Sequence, residues 1–101
     1  MRDPIESVAE TERLARANRA MERYADGDDR AFSVLCDELE PRLRRFLLSL
    51  TGSTAATDDV IQRTLLEIHR SRARFPRGAQ VLPWACAIAH DLIRRTLPDT
   101  K

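Results

Sequence analysis

Thr54-Ala55-Ala56-Thr57-Asp58-Asp59-Val60-Ile61-Gln62-Arg63-Thr64-Leu65-Leu66-Glu67-Ile68-His69-Arg70 is the stretch from which the rest of the chain can be placed. Val60, Ile61, Thr64, Leu65 and Ile68 recur at steps of three and four residues and form one apolar face, the signature of an amphipathic helix. Thr54 is placed to cap its first turn, and Thr57, Asp58 and Asp59 follow near the positive end of the helix dipole. Asp58, Asp59, Gln62, Arg63, Glu67 and Arg70 fall largely off the apolar face. Such a helix rests on a core and presents an acidic, amide-bearing surface. Periodicity alone leaves open whether that surface meets a partner or only water.

Working outward, the same period recurs on both sides. Upstream, Phe32, Leu35, Cys36, Leu39, Leu43, Phe46, Leu47 and Leu50 continue a long apolar stripe, with Arg42, Arg44 and Arg45 opposite. Pro41 lies inside that stripe and removes a backbone donor, so a bend or short break is expected near Glu40. Before it, Ile5, Val8, Leu14, Ala17, Met21 and Tyr24 mark a first helix of moderate amphipathicity, after four loose residues. Asp26-Gly27-Asp28 ends it, with Gly27 as the stop and Asp28 as the next cap. Downstream, Pro76 and Gly78 oppose regular structure within residues 71–83. Pro83 suits the first turn of a last helix, whose inner face is Leu82, Ala85, Ile88, Ala89, Leu92 and Ile93. The expected fold class is all-α. It is a small bundle of four helices at about 5–25, 29–50, 54–73 and 82–96, with a loop between the third and fourth.

Composition agrees with one small helical domain. The chain has 101 residues, of which 43% are hydrophobic and 33% charged, with three Gly and five aromatic residues. A β-sandwich or barrel would use more turn residues and more aromatics. The net charge of +1 hides an asymmetry: residues 1–40 carry −5 and residues 41–101 carry +6. A basic end of this kind suits phosphate. Sixteen of the 17 basic residues are Arg, which fits phosphate and base-edge contacts better than Lys but is also what a GC-rich genome would encode. Cys36 and Cys86 lack metal-ligand spacing and are expected as buried free thiols in a reducing cytoplasm. There is no apolar leader or membrane-length run, so a cytoplasmic protein without a membrane partner is expected.

No catalytic constellation is visible. No Ser or Cys accompanies a His, no Gly-rich phosphate loop occurs, and His69 and His90 lack metal partners. Asp58 and Asp59 have no second carboxylate pair to complete a cation site. No enzyme, metal or cofactor is expected. The loop is more informative. Arg70, Arg72, Arg74 and Arg77 fall within eight residues, and no acidic residue occurs between Ile68 and His90. Phe75 and Trp84 supply aromatic faces, and His90, Arg94 and Arg95 extend the basic surface along the last helix. Arginines neutralise a phosphate backbone, and a ring stacks on an unpaired base. The alternative is a solvated basic loop with Phe75 and Trp84 in the core, and for Trp84 composition favours the core.

Three stretches carry a family resemblance. Thr57-Asp58-Asp59-Val60-Ile61-Gln62 resembles the Ala-Glu-Asp-Leu-x-Gln signature of region 2 in sigma-70-family transcription initiation factors, above all the small extracytoplasmic-function (ECF) group. Gly27-Asp28-Asp29-Arg30-Ala31-Phe32-Ser33-Val34-Leu35 is similar to the family's Gly-Asp-x-x-Ala-Phe-x-x-Leu. Pro83-Trp84-Ala85-Cys86-Ala87-Ile88-Ala89-His90-Asp91 resembles its Trp-Leu-x-x-Ile-Ala-x-Asn. The three occur in the family's order and cover about residues 20–95.

The resemblance implies two surfaces. The acidic helix docks on the clamp helices of the RNA polymerase β′ subunit, with Asp59, Gln62 and Glu67 the best matches and Asp58 and Arg63 beside them. Residues 71–80 and the following helix capture a flipped base of the promoter −10 element on the non-template strand and help melt the duplex. Arg70, Arg72, Arg74, Phe75, Arg77, Trp84, His90, Asp91, Arg94 and Arg95 lie there, and residues 71–80 match the loop in position rather than identity. Recovering the few kcal/mol of unstacking needs a positive loop with a shaped pocket. The chain departs from the pattern at His69, where the family has Trp, at Ala85 in place of Leu, and at Asp91 in place of Asn. Asp91 puts a negative charge where relatives meet DNA. A second domain that reads the −35 element is expected to be absent. The rival expectation is a sigma-like interaction module held by an anti-sigma factor, with little DNA binding of its own.

Overall fold

The structure, a computed structural model, describes the backbone of residues 4–96 and the side chains of residues 8–95. Four α-helices follow in order: α1 (Pro4–Ala25), α2 (Ala31–Thr51), α3 (Thr54–Ser71) and α4 (Val81–Thr96), with a short 3-10 turn at Arg72–Arg74 after α3. No strand occurs among the described residues, so the bundle is all-α as expected. Pro4 opens α1 rather than lying loose; residues 1–3 are outside the described residues. The molecule is a slab 39 × 38 × 20 Å. Its thickness is about two helix diameters, so each helix turns one face inward and one to solvent.

The core follows from the stripes. Leu35, Leu39, Leu43 and Leu47 of α2 repeat every fourth residue and are fully buried, with Ala31 above them. Ala17, Ala20, Met21 and Tyr24 of α1, Val60, Ile61 and Ile68 of α3, and Val81, Ala85 and Ala89 of α4 close around that ridge. Each buried leucine contributes about 1.5–3 kcal/mol of transfer free energy. Alanines on α1 and α4 let those helices approach closely. Leu50 leaves the expected stripe and is 49% exposed, because the helix ends one residue later and its last turn overhangs the core. Val81 is buried although the expected inner face began at Leu82. Thr57 and Thr64 are buried and satisfied: Thr57 Oγ1 meets Thr51 Oγ1 at 2.9 Å, and Thr64 donates to the Val60 carbonyl at 2.7 Å.

The helix ends follow local chemistry at Gly27 and depart from the expected caps at Asp28 and Thr54. Gly27 has φ +105°, its N–H reaches the Tyr24 carbonyl at 3.1 Å, and the Asp28 N–H reaches Arg23 at 2.9 Å. These two bonds form a Schellman stop, which needs the left-handed geometry glycine tolerates. Asp28 does not cap α2 directly. Its carboxylate accepts the Arg30 N–H at 3.2 Å and its carbonyl accepts Ala31 N–H at 3.1 Å, so a tight turn precedes a helix that starts at Ala31. Ser53, not Thr54, caps α3: it has extended backbone and accepts the Ala56 N–H at 3.1 Å. Thr54 is already helical, and capping requires a residue outside the helix.

Pro41 does not break α2, which runs unbroken through it. The ring lies on the exposed side; the backbone bond lost there is the one to the Asp37 carbonyl, and Arg42 Nη1 donates to the next carbonyl, that of Glu38, at 2.6 Å. The same guanidinium is bound by Glu10 of α1, Nε donating to Oε2 at 2.7 Å. That bond raises the Arg42 pKa and ties α1 to α2 on the side away from the loop.

Candidate functional site

α3 presents an outer strip of Asp59, Gln62, Arg63, Leu66 and Arg70, spaced by three and four residues and all exposed. Helical period makes these side chains neighbours. Asp59 and Arg63 pair at 2.9 Å within the strip. Asp58, at its edge, is drawn toward α2: its carboxylate meets Arg44 Nη1 at 2.5 Å, and Arg44 also holds Glu40 at 3.1 Å. Glu67 is half-buried and accepts from Ser71 Oγ at 3.0 Å. Among the described residues Gln62 makes no side-chain hydrogen bond, so its amide is free for a partner. Leu66, 48% exposed, places an apolar side chain in the middle of this polar strip.

Beside the strip lies a groove of about 420 Å³, lined by Tyr24, Asp29, Phe32, Leu65, Leu66 and His69. The buried Tyr24 hydroxyl donates to His69 Nδ1, and Arg72 Nη1 approaches the same nitrogen at 3.3 Å. Because a guanidinium can only donate, Nδ1 is placed to act as the acceptor of both contacts. Tyr24 and Phe32 stack at 4.8 Å, tilted by 33°. The sequence singled out none of this cluster as a unit, because Tyr24 and His69 are 45 residues apart and no local pattern links them.

The loop after α3 differs from its expected form. Phe75 is 6% exposed and packs edge-on against Trp84, centroids 5.1 Å apart at 71°. A free stacking face at Phe75 is therefore absent; of its two readings the structure takes the core one, because the 3-10 turn directs the ring inward. Trp84 is half-buried. Arg72 and Arg77 are engaged within the chain. Arg72 pairs with Asp29 at 3.4 Å and lies 5.1 Å from the centroid of the Tyr24 ring, and Arg77 pairs with Asp26. The loop backbone is tied down as well: Gly78 N–H donates to Glu22 Oε2 at 3.3 Å and Val81 N–H to Asn18 Oδ1 at 2.8 Å.

Other basic residues remain open. Arg70, Arg74 and Arg94 are exposed and have no ion-pair partner among the described residues. His90 is exposed on α4, one turn before Arg94. Asp91 pairs with Arg95 at 2.9 Å, so its negative charge is offset within its own helix. Cys36 and Cys86 are half-buried free thiols rather than fully buried ones. Burial, then Asp37 and Glu40, pushes the Cys36 thiol up to about 11, and burial also raises Cys86. Neither is a nucleophile at neutral pH. Among the described residues no group of three or more His, Cys, Asp or Glu side chains is placed to hold a metal, and no helix is long and apolar enough to cross a membrane.

Comparison with known proteins finds a family and two relatives. The family model described as sigma-70 region 2 matches residues 35–101. RNA polymerase sigma factor CarQ of Myxococcus xanthus is 36% identical over 77 residues, covering 76% of this chain and 44% of its own length. ECF RNA polymerase sigma factor SigF of Caulobacter vibrioides (strain NA1000 / CB15N) is 31% identical over 98 residues, covering 87% of this chain and 55% of its own length. The chain thus spans about half the length of these curated relatives. No solved structure matches. With the family model covering α3, the loop, α4 and most of α2, the chain belongs to the sigma-70 region 2 family.

Proposed function

We propose that this chain is the region 2 domain of an ECF-type sigma factor, a transcription initiation factor rather than an enzyme. In this reading α3 docks on the clamp helices of the RNA polymerase β′ subunit, and the loop and α4 engage the non-template strand of the promoter −10 element. The observation that carries it is the outer strip of α3. Asp59 and Gln62 stand exposed around Leu66, an apolar centre with a polar rim, which is how protein interfaces are built. Kinship with CarQ and SigF, both named as RNA polymerase sigma factors, supports the same assignment.

For DNA, the exposure of the basic residues supports a narrower set of contacts than the sequence suggests. On α3 and after it, Arg70, Arg74 and Arg94 have no ion-pair partner among the described residues, with His90 one turn before Arg94. Of the two aromatic residues of the loop and α4, Trp84 is the half-buried one, and Phe75 packs edge-on against it. Titration of a −10-type single strand across a salt series tests this reading. Binding should weaken with salt, and replacing Arg70, Arg74 and Arg94 by Ala should flatten the logarithmic slope by about 2 units, about 0.7 per phosphate contact. An unaltered slope would assign these residues to a solvated surface and favour an interaction module held by an anti-sigma factor.

A further inference from the structure

The loop's ion pairs and its backbone tethers to side chains run to one place, the C-terminal part of α1 and the turn after it. Asp26 holds Arg77, Asp29 holds Arg72, Glu22 accepts the Gly78 N–H, and Asn18 accepts the Val81 N–H at the start of α4. Two arginines of a basic loop are therefore occupied by carboxylates of the same chain. A carboxylate and a phosphate oxygen make the same charge-assisted bond to guanidinium. Asn18, Glu22, Asp26 and Asp29 all precede residue 35, where the match to the family model begins. The tether thus belongs to the part of the chain outside that match.

We propose that the acidic end of α1 is an intramolecular phosphate mimic, which competes with the nucleic-acid strand for Arg72 and Arg77 and restrains DNA binding by the loop. This rests on the reading that the loop and α4 bind single-stranded promoter DNA. The contacts are poised to yield. Arg77 and Asp26 have side chains 71% and 51% exposed, so that pair is held in high dielectric and is weak; Arg72 is 34% exposed against 78% for Asp29, so its pair is open on the carboxylate side only. A polyanion that presents several phosphates in a row displaces them; a single small anion does not. Glu22 and Asn18 play a different part. They bond to backbone N–H groups and position the loop without engaging its charges.

The test is a double-mutant cycle on the full chain, read as affinity and salt slope for a fluorescent −10-type single strand, with the melting temperature of each variant measured alongside. Asp26→Asn should tighten binding up to about fivefold, the range of one exposed ion pair, and steepen the slope by about 0.7 as Arg77 gains a phosphate. In an Arg77→Ala background the same Asp26→Asn change should do nearly nothing. Asp29→Asn with Arg72→Ala gives an independent second cycle, should either Asp26 variant fold poorly. Equal tightening with and without the arginine would mean simple removal of a repulsive charge and would overturn the proposal. No tightening in either cycle, with DNA binding intact, would also overturn it. Absence of salt-dependent binding by the parent chain would overturn the DNA reading itself, a separate and recognisable result.

Discussion

The outer strip of α3 and the loop after it lie next to each other in sequence, yet their side chains are organised by different rules. On α3 the helical period decides everything. Asp59, Gln62, Arg63, Leu66 and Arg70 are neighbours because they are three and four residues apart, and the Asp59–Arg63 pair lies wholly within the helix. In the loop no period operates. Arg72 and Arg77 take partners 43 and 51 residues away, on the far side of the bundle's sequence. A surface on a helix is thus a local property, and a surface on a loop is a property of whatever the loop packs against.

That contrast can be broken most sharply at Phe75. If the loop is a folded extension of the core, Phe75→Ala should cost about 3–5 kcal/mol of stability in denaturant melts, as buried Phe truncations do. Affinity of the still-folded fraction for a single strand should hardly change. A variant of undiminished stability that lost about 1–3 kcal/mol of DNA affinity would instead mean that the ring stacks on a base.

A smaller effect is expected at Asn18, where one side chain serves the loop through a single hydrogen bond to the Val81 N–H. Asn18→Ala should cost about 1–3 kcal/mol, the range for leaving a partly buried donor without its partner. Amide exchange at Val81 should quicken with it; unchanged protection there would show that α4 starts without help from α1. The smallest effect belongs to α3. Arg63→Ala removes an exposed i,i+4 pair and should lower stability by only about 0.3–0.5 kcal/mol. A loss of several kcal/mol would mean that the strip is part of the fold rather than a free surface.

Much of the fold was legible from period and punctuation. Leu35, Leu39, Leu43 and Leu47 declare the ridge of the core, and Gly27 declares its turn, because both effects are local in sequence. The failures also have local reasons. Thr54 and Ser53 are both good caps, and only the backbone decides which stands outside the helix. Pro41 reads as a breaker, but its ring lies on the exposed side of α2, and the helix runs on through it. On the site, the polar strip of α3 could be placed from its period. The fate of Phe75, Arg72 and Arg77 could not, since it depends on Trp84, Asp29 and Asp26 reached through tertiary packing. The Tyr24–His69 bond was invisible for the same reason.

The strip on α3 is also where the functional reading is most exposed to refutation. The direct measurement is the affinity of the folded Asp59→Arg, Gln62→Ala double variant for RNA polymerase core, beside that of the parent chain, with circular dichroism to confirm equal helicity. Both side chains are exposed, so the fold should be untouched, while docking through them should weaken by about 2–5 kcal/mol. Equal affinity of the two chains would contradict the docking role of α3.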